Sequence, residues 1–200
     1  MQNQCPICSR GSGDVCDRCF DEFERKEEKL RLKYIDNTIA FFSYEGILKN
    51  LMMRFKFNSE YAWGKIFGYI MLREFKRLGY NTSDFDIVTF IPSDPKRFFK
   101  RGFNQAKVMA KYFSKASGIP MKTLLYRNKI EKESHKITGI ERKNLRHSFG
   151  SYESRVKGAK KILIIDDIIT TGQTVSEAAK RIKLIDDIEV WAICLLGDYE

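Results

Sequence analysis

Two spacings of apolar residues succeed one another along this 200-residue chain, and each change of spacing marks an element. NTIAFFSYEG (37–46) reads as a strand ending at Gly46. Behind it, ILKNLMMRFKF places Ile47, Leu48, Leu51, Met52 and Phe55 at helical spacing. AWGKIFGYIMLREFKRL then lines up Trp63, Ile66, Phe67, Ile70, Met71 and Phe75 on one face before Gly79 stops it. DIVTFI (86–91) is the short continuous apolar run of a strand covered on both faces, closed by Pro92 and Pro95. The residues after Pro92 read as a loop until a helical pattern begins near Phe103. Residues 121–126 read as a further strand, and 127–146 form a polar, basic stretch without apolar period, expected to be mobile. Residues 161–166 are a strongly apolar strand, 174–183 a helix and 188–196 a last strand. Strands alternating with helices imply βαβ units, hence an α/β fold with a mainly parallel sheet flanked by helices on both faces.

The amino-terminal segment breaks this plan. Four of the five cysteines fall within the first twenty residues, as Cys5-Pro-Ile-Cys8 and Cys16-Asp-Arg-Cys19. Each pair fits a tight turn that aims both sulfurs at one ion, and Gly11 and Gly13 let the link double back. Without a secretory signal ahead of them, the pairs read as a closed, structural Zn²⁺ site, with a disulfide or redox pairing as the alternative. Cys194 lies in an apolar run and reads as a core thiol. DEFERKEEKLRLKY (21–34) is dense in charge and reads as a short helix or connector. The expected organisation is therefore a knuckle and connector over 1–34 and one main domain over 35–200.

Composition narrows the function classes. With 43% hydrophobic and 31% charged residues, and no apolar run near the ~20 residues of a spanning helix, an integral membrane protein is not expected. The start MQNQCPICSR lacks the plan of a signal peptide, which makes the cytoplasm the expected location. A net charge of +10 favours phosphate-rich partners, either nucleic acid or a phosphorylated small molecule. Lys96, Arg97, Lys100, Arg101 and Lys107 form one basic cluster, and residues 122–147 a second with few acids.

Candidate chemistry concentrates in ILIIDDIITTGQT (162–174). A buried strand delivers Asp166 and Asp167 at its carboxyl end, where ligands bind in open α/β sheets. Thr170, Thr171, Gly172, Gln173 and Thr174 then turn the chain into a helix, bringing hydroxyls, unpaired N–H groups and the positive helix end to one point that suits a phosphate. The two carboxylates repel a phosphate, so their natural partners are sugar hydroxyls or Mg²⁺. A phosphate beside a vicinal diol describes ribose 5-phosphate. No Walker-type lysine is present.

These thirteen residues resemble the loop that binds phosphoribosyl pyrophosphate in type I phosphoribosyltransferases. By that resemblance Asp166 and Asp167 bind the ribose hydroxyls, and Thr170, Thr171, Gly172, Gln173 and Thr174 the 5-phosphate. Together with the four-Cys knuckle, PSDPKRFFKRGFNQA (92–106) and ERKN (141–144) with Phe149 beyond it, the whole chain resembles the ComF family of phosphoribosyltransferase-like proteins linked to DNA uptake. The resemblance implies phosphoribosyl pyrophosphate with Mg²⁺ as ligand, Lys96 and Arg97 as pyrophosphate contacts, and Arg101 with Asp166 and Asp167 as the catalytic groups. It also implies competence proteins as partners, some of which would hold the chain peripherally at the membrane. His135 and Lys136 read either as a flexible loop that closes over the pyrophosphate or, equally, as a solvated loop. Basic residues interleaved with aromatics from Lys96 to Phe103 suit single-stranded DNA as well, although Phe98 and Phe99 read equally as core.

Overall fold

The computed structural model describes residues 4–10, 15–26, 29–57, 60–128 and 149–199. Four parallel strands form the central sheet: β1 (Asn37–Ser43), β2 (Ile87–Phe90), β5 (Lys161–Ile169) and β6 (Glu189–Gly197), in the order β1-β6-β5-β2. The short strands β3 (Leu125–Arg127) and β4 (Phe149–Ser151) form a separate antiparallel pair. Seven α-helices are seen among the described residues: α1 (Asp17–Asp21), α2 (Gly46–Phe57), α3 (Ala62–Arg77), α4 (Pro95–Arg101), α5 (Gln105–Ser117), α6 (Glu153–Val156) and α7 (Gln173–Lys183). None is long and apolar enough to cross a membrane.

The central strands separate two cores, because successive side chains of a strand point to opposite faces. Leu163 and Ile165 of β5 join the core under α2, α3 and α5, whereas Ile162 and Ile164 join the core under α7. Both faces are therefore covered, which is why these strands read as unbroken apolar runs rather than alternating ones. On the first face α3 lies so close to α5 that a Cβ at Gly68 would stand 2.7 Å from the Met109 carbonyl oxygen. On the second, Val175, Ala178, Ala179 and Ile182 form the buried stripe of α7.

Four sequence expectations are corrected. The segment after Pro92 is not a loop: Asp94 caps α4 by accepting from the Lys96 and Arg97 N–H groups, and Pro95 fits its first turn. Of 121–126, only the end is regular strand, since Met121 makes a single parallel bridge to Val88 while Leu125–Arg127 turns away to pair with β4. Ile47 and Ile66 are only partly buried. Phe98 and Phe99 are not core, because α4 buries none of its residues and Phe99 is 86% exposed. Residues 129–148, and with them the basic stretch, His135, Lys136, His147 and the ERKN string, lie outside the described residues, as do Gly11 and Gly13.

The amino-terminal segment wraps onto the sheet. Phe20 and Phe23 pack edge-on against Phe42 of β1. Residues 22–26 and 29–36 are a connector rather than a helix, bridging antiparallel to the outer edge of β1 at Arg25–Phe42 and Lys29–Ile39. The fully buried carboxylate of Glu74 on α3 ties this connector to the helix layer, accepting from Arg25 at 3.3 Å and Arg77 at 2.7 Å. Further along, Leu30, Leu32, Tyr34 and Ile35 pack on the second core.

Candidate ribose-phosphate site and metal knuckle

Unequal strand lengths make the cleft. β2 pairs with β5 only as far as Phe90–Ile165, beyond which there is one bond from the Ile91 N–H to the Ile165 carbonyl. β5 runs on to Ile169 beside β6, so Asp166 and Asp167 lie within the strand, not at its tip, with β6 on one side and open space on the other. That space is a cavity of about 420 Å³. Its floor is Asp166, Asp167 and Ile168; Thr170 and Thr174 close one end; Ser93, Asp94, Arg97, Arg101 and Gln105 form the facing wall. Two cations come from elsewhere, Lys56 from α2 and Arg127 from β3.

The acid pair is held by its own backbone. Asp166 Oδ1 accepts from the Asp167 N–H at 2.9 Å, and Asp167 Oδ1 accepts from the Ile168 N–H at 2.8 Å. The remaining oxygen of Asp167, Oδ2, meets Lys56 Nζ at 2.8 Å. Burial, reinforced by the neighbouring Asp167 charge, pushes the Asp166 carboxyl well above its usual range, against the opposing pull of the Asp167 N–H and the Lys56 charge. Asp166 thus holds a proton more readily than an isolated aspartate.

Opposite them the two arginines are anchored by neutral partners. Arg127 donates to the Pro92 carbonyl at 2.8 Å, and Arg101 to Gln105 Oε1 at 3.2 Å. Burial lowers the pKa of each; Asp167 counters this at Arg101, and Asp94 and Asp166 at Arg127. The intrinsic basicity of the guanidinium group keeps both cationic. Asn104 is occupied structurally: its side chain caps α5 at Lys107 N and donates to the Ile91 carbonyl. Gln105 is buried beside the cleft and its Nε2 has no partner among the described residues.

The turn into α7 has the conformation its sequence suggests. Gly172 sits at φ +70°, and a Cβ there would come within 2.4 Å of the Leu32 side chain. The amino end of α7 has no side-chain cap of the usual kind, although Thr171 Oγ1 accepts from Gln173 N at 3.4 Å. The connector braces this turn from behind, through Leu32 and a hydrogen bond from the Ser176 hydroxyl to the Lys33 carbonyl.

The cleft therefore gathers Asp166, Asp167, Arg97, Arg101, Thr170 and Thr174 from the expected set. Thr171, Gly172 and Gln173 belong to the same turn without lining the cavity, and Lys96 is exposed on α4 away from it. Lys56 and Arg127 were missed. Lys56 carries no local signal, being one of two cations alternating with phenylalanines in RFKF; Arg127 only follows the expected strand at 121–126.

At the other end of the chain, Cys5, Cys8, Cys16 and Cys19 bring their four sulfurs within 4.8 Å of one another, all as free thiols. The Cys8–Cys16 sulfur separation is 3.7 Å, which is not a disulfide and matches the ~3.8 Å edge of a tetrahedron with Zn–S bonds of about 2.3 Å. Burial opposes ionisation of Cys5, but the Cys16, Cys8 and Ile7 N–H groups outweigh it and bring the thiol down to about 6. Burial and the neighbouring sulfurs push Cys19 the other way. The donor set fits a soft, four-coordinate ion. Cys194 is a buried core residue whose thiol is raised by burial.

No family model matches the chain. Among curated proteins it is 32% identical over 144 residues to Competence protein ComFC of Streptococcus pneumoniae, an alignment covering 72% of this chain and 60% of that one. The chain thus spans less than two thirds of that relative's length. It is 25% identical over 170 residues to Competence protein F of Haemophilus influenzae, covering 79% and 72%. Among solved structures, glutamine phosphoribosylpyrophosphate amidotransferase from B. subtilis superposes with a TM-score of 0.51 at 17% identity over 72% of this chain and 30% of that one. That likeness shows the fold: the sheet is of the type I phosphoribosyltransferase kind. Competence protein ComFC of Bacillus subtilis is 30% identical over 178 residues, 88% of this chain and 70% of its own, and on that match the chain belongs to the ComF family.

Proposed function

We propose that the cleft binds phosphoribosyl pyrophosphate with Mg²⁺, and that the protein serves DNA uptake in natural transformation. The convergence of the Asp166–Asp167 pair, the Thr170–Thr174 turn and the guanidinium groups of Arg97 and Arg101 on one cavity carries the reading. The turn supplies N–H groups and hydroxyls for the 5-phosphate, the acids accept from the ribose hydroxyls, and the arginines face the pyrophosphate. The relatives' names connect this chemistry to competence. As a transferase, the protein would join a nitrogen nucleophile to C1 as the C1–O bond to pyrophosphate breaks and its electron pair leaves with the oxygen. The positioned arginines and bound Mg²⁺ would neutralise the departing charge. Cys5, Cys8, Cys16 and Cys19 hold a structural Zn²⁺ in this reading.

Calorimetry with phosphoribosyl pyrophosphate and Mg²⁺ tests the site. Asp167→Ala is expected to weaken binding by about 10- to 100-fold, the loss expected for hydrogen bonds to a charged group. Equal affinity in both proteins, or no binding by either, refutes the assignment.

A second reading has its own observation. The unburied helix α4 presents Phe98 and Phe99 among Lys96, Arg97, Lys100 and Arg101, and the last two stand over the ring of the half-exposed Phe57. Aromatic faces among cations suit single-stranded DNA, with bases stacking and phosphates paired. Fluorescence polarisation with a labelled oligonucleotide should show Phe98→Ala/Phe99→Ala binding about 10-fold or more weakly, and wild-type affinity falling steeply with salt. An unchanged affinity in the double variant removes α4 from any such role.

A further inference from the structure

Lys56 reaches the acid pair from α2, an element that contributes no other side chain to the cleft. The helix backbone at its base is anchored by its neighbour: Phe55 is fully buried against Phe67 and Phe103. The ammonium stands 2.8 Å from Asp167 Oδ2, with the two side chains 13% and 16% exposed. That remaining exposure faces the cavity, since both residues line it.

The chemistry of the two groups is complementary. A carboxylate only accepts and an ammonium only donates, with three donors of which one meets Asp167. A hydroxyl does both. Placed against the pair, it can donate to Asp167 Oδ2 and accept from Lys56, so one sugar hydroxyl engages both ends. Asp166 does not offer this arrangement, since no cation stands at hydrogen-bonding distance from its carboxyl group among the described residues.

We propose that Lys56 is a specificity-determining, ligand-contacting residue that, together with Asp167, reads one ribose hydroxyl of the phosphoribosyl ligand. This rests on the reading of the cleft as a ribose-phosphate site. A ligand lacking that hydroxyl loses two hydrogen bonds to charged groups and leaves the Lys56 ammonium and Asp167 Oδ2 without it as a shared partner. Sites built to bond a hydroxyl reject the analogue without it far more strongly than apolar pockets reject a missing methylene.

The test compares ribose 5-phosphate with 2-deoxyribose 5-phosphate and 3-deoxyribose 5-phosphate by calorimetry, on wild type, Lys56→Met and Lys56→Gln. Wild type is expected to prefer ribose 5-phosphate over one of the deoxy sugars by about 30-fold or more, with the ratio in Lys56→Met falling to about 3-fold or less. Lys56→Gln, which keeps a neutral donor, should retain an intermediate ratio. An ion pair that served only to hold α2 would lower all three affinities together and leave the ratio intact. Because the ratio is taken within one protein, a folding defect does not mimic the effect, and if Lys56→Met fails to fold Lys56→Gln decides. A full wild-type ratio in the lysine variants overturns the role of Lys56 alone. Failure of wild type to bind ribose 5-phosphate overturns the ribose-phosphate reading and this inference with it.

Discussion

Chelation of the zinc proposed for the four-cysteine knuckle is expected to unfold the amino-terminal segment and to lower the melting temperature of the chain by roughly 10 °C or more. Apart from Phe20 and Phe23 on Phe42 and the exposed Arg73–Asp17 pair, the knuckle has little local structure of its own to hold it. Cys5 and Cys19 are buried, and α1 is a five-residue helix, far too short to persist alone. Four sulfurs within 4.8 Å of one another can carry thiolate charge together only around a cation, so without one the bonds that draw the cluster together are lost. Metal binding in small zinc fingers is worth on the order of 10 kcal/mol, most of it folding free energy. Even a third of that, at about 2–4 °C per kcal/mol for a chain of this size, gives the stated shift. Release of the knuckle also strips Phe20 and Phe23 from Phe42, so part of the loss is felt in the sheet. Elemental analysis should find one zinc per chain, and the melt should be repeated after dialysis against a strong chelator. A metal-free preparation with an unaltered melt contradicts the assignment.

Phe75→Ala is expected to cost about 3–5 kcal/mol, the range for removing a fully enclosed aromatic ring. Phe75 lies on α3 with no exposed surface, and its ring meets those of Tyr80, Phe85 and Phe113 at 5.2, 5.7 and 5.8 Å. These neighbours come from three separate places: the end of α3, the approach to β2, and α5. Each is a rigid ring held by its own backbone, so the surroundings cannot collapse into the space left behind, and the cavity term adds to the transfer term. The close approach of α3 to α5 at Gly68 restricts relaxation further. Urea denaturation monitored at two wavelengths measures the change, with the m-value serving as a check that unfolding remains cooperative. A cost below about 1.5 kcal/mol would mean that the ring cluster is looser than its geometry indicates.

The legible parts of this fold were those whose signal is local. β5 announced itself through four consecutive apolar residues, Ile162 to Ile165, because a strand covered on both faces has no polar side to show. The stripe of α3 came from helical spacing, and the Asp166–Thr174 turn from residue types that matter in a fixed order. α4 was obscured for the opposite reason: a helix that buries nothing has no stripe, and Phe98 and Phe99, adjacent in sequence, define no helical face. Its signal was the cap, Asp94 and then Pro95, which was present but outweighed by the reading of proline as loop punctuation. β3 depends on a partner more than twenty residues away, so its limits could not be set locally. The Lys56–Asp167 pair joins positions 111 apart, and no pattern within either segment points to the other.

The two margins of the central sheet are both taken. Arg25 and Lys29 of the connector run along β1, with the Lys26 N–H donating to the Phe41 carbonyl and the Ser43 N–H to the Glu24 carbonyl. Along β2, Val88 is bonded on both its N–H and its carbonyl by Pro120 and Lys122. An open margin bearing side chains such as Ile39, Phe41 and Phe42 is a template on which another polypeptide can add as a further strand. By lying where such an intruder would bind, and by placing charged side chains there, the connector guards the sheet against aggregation, a service to the protein separate from the cysteine cluster and from the cleft.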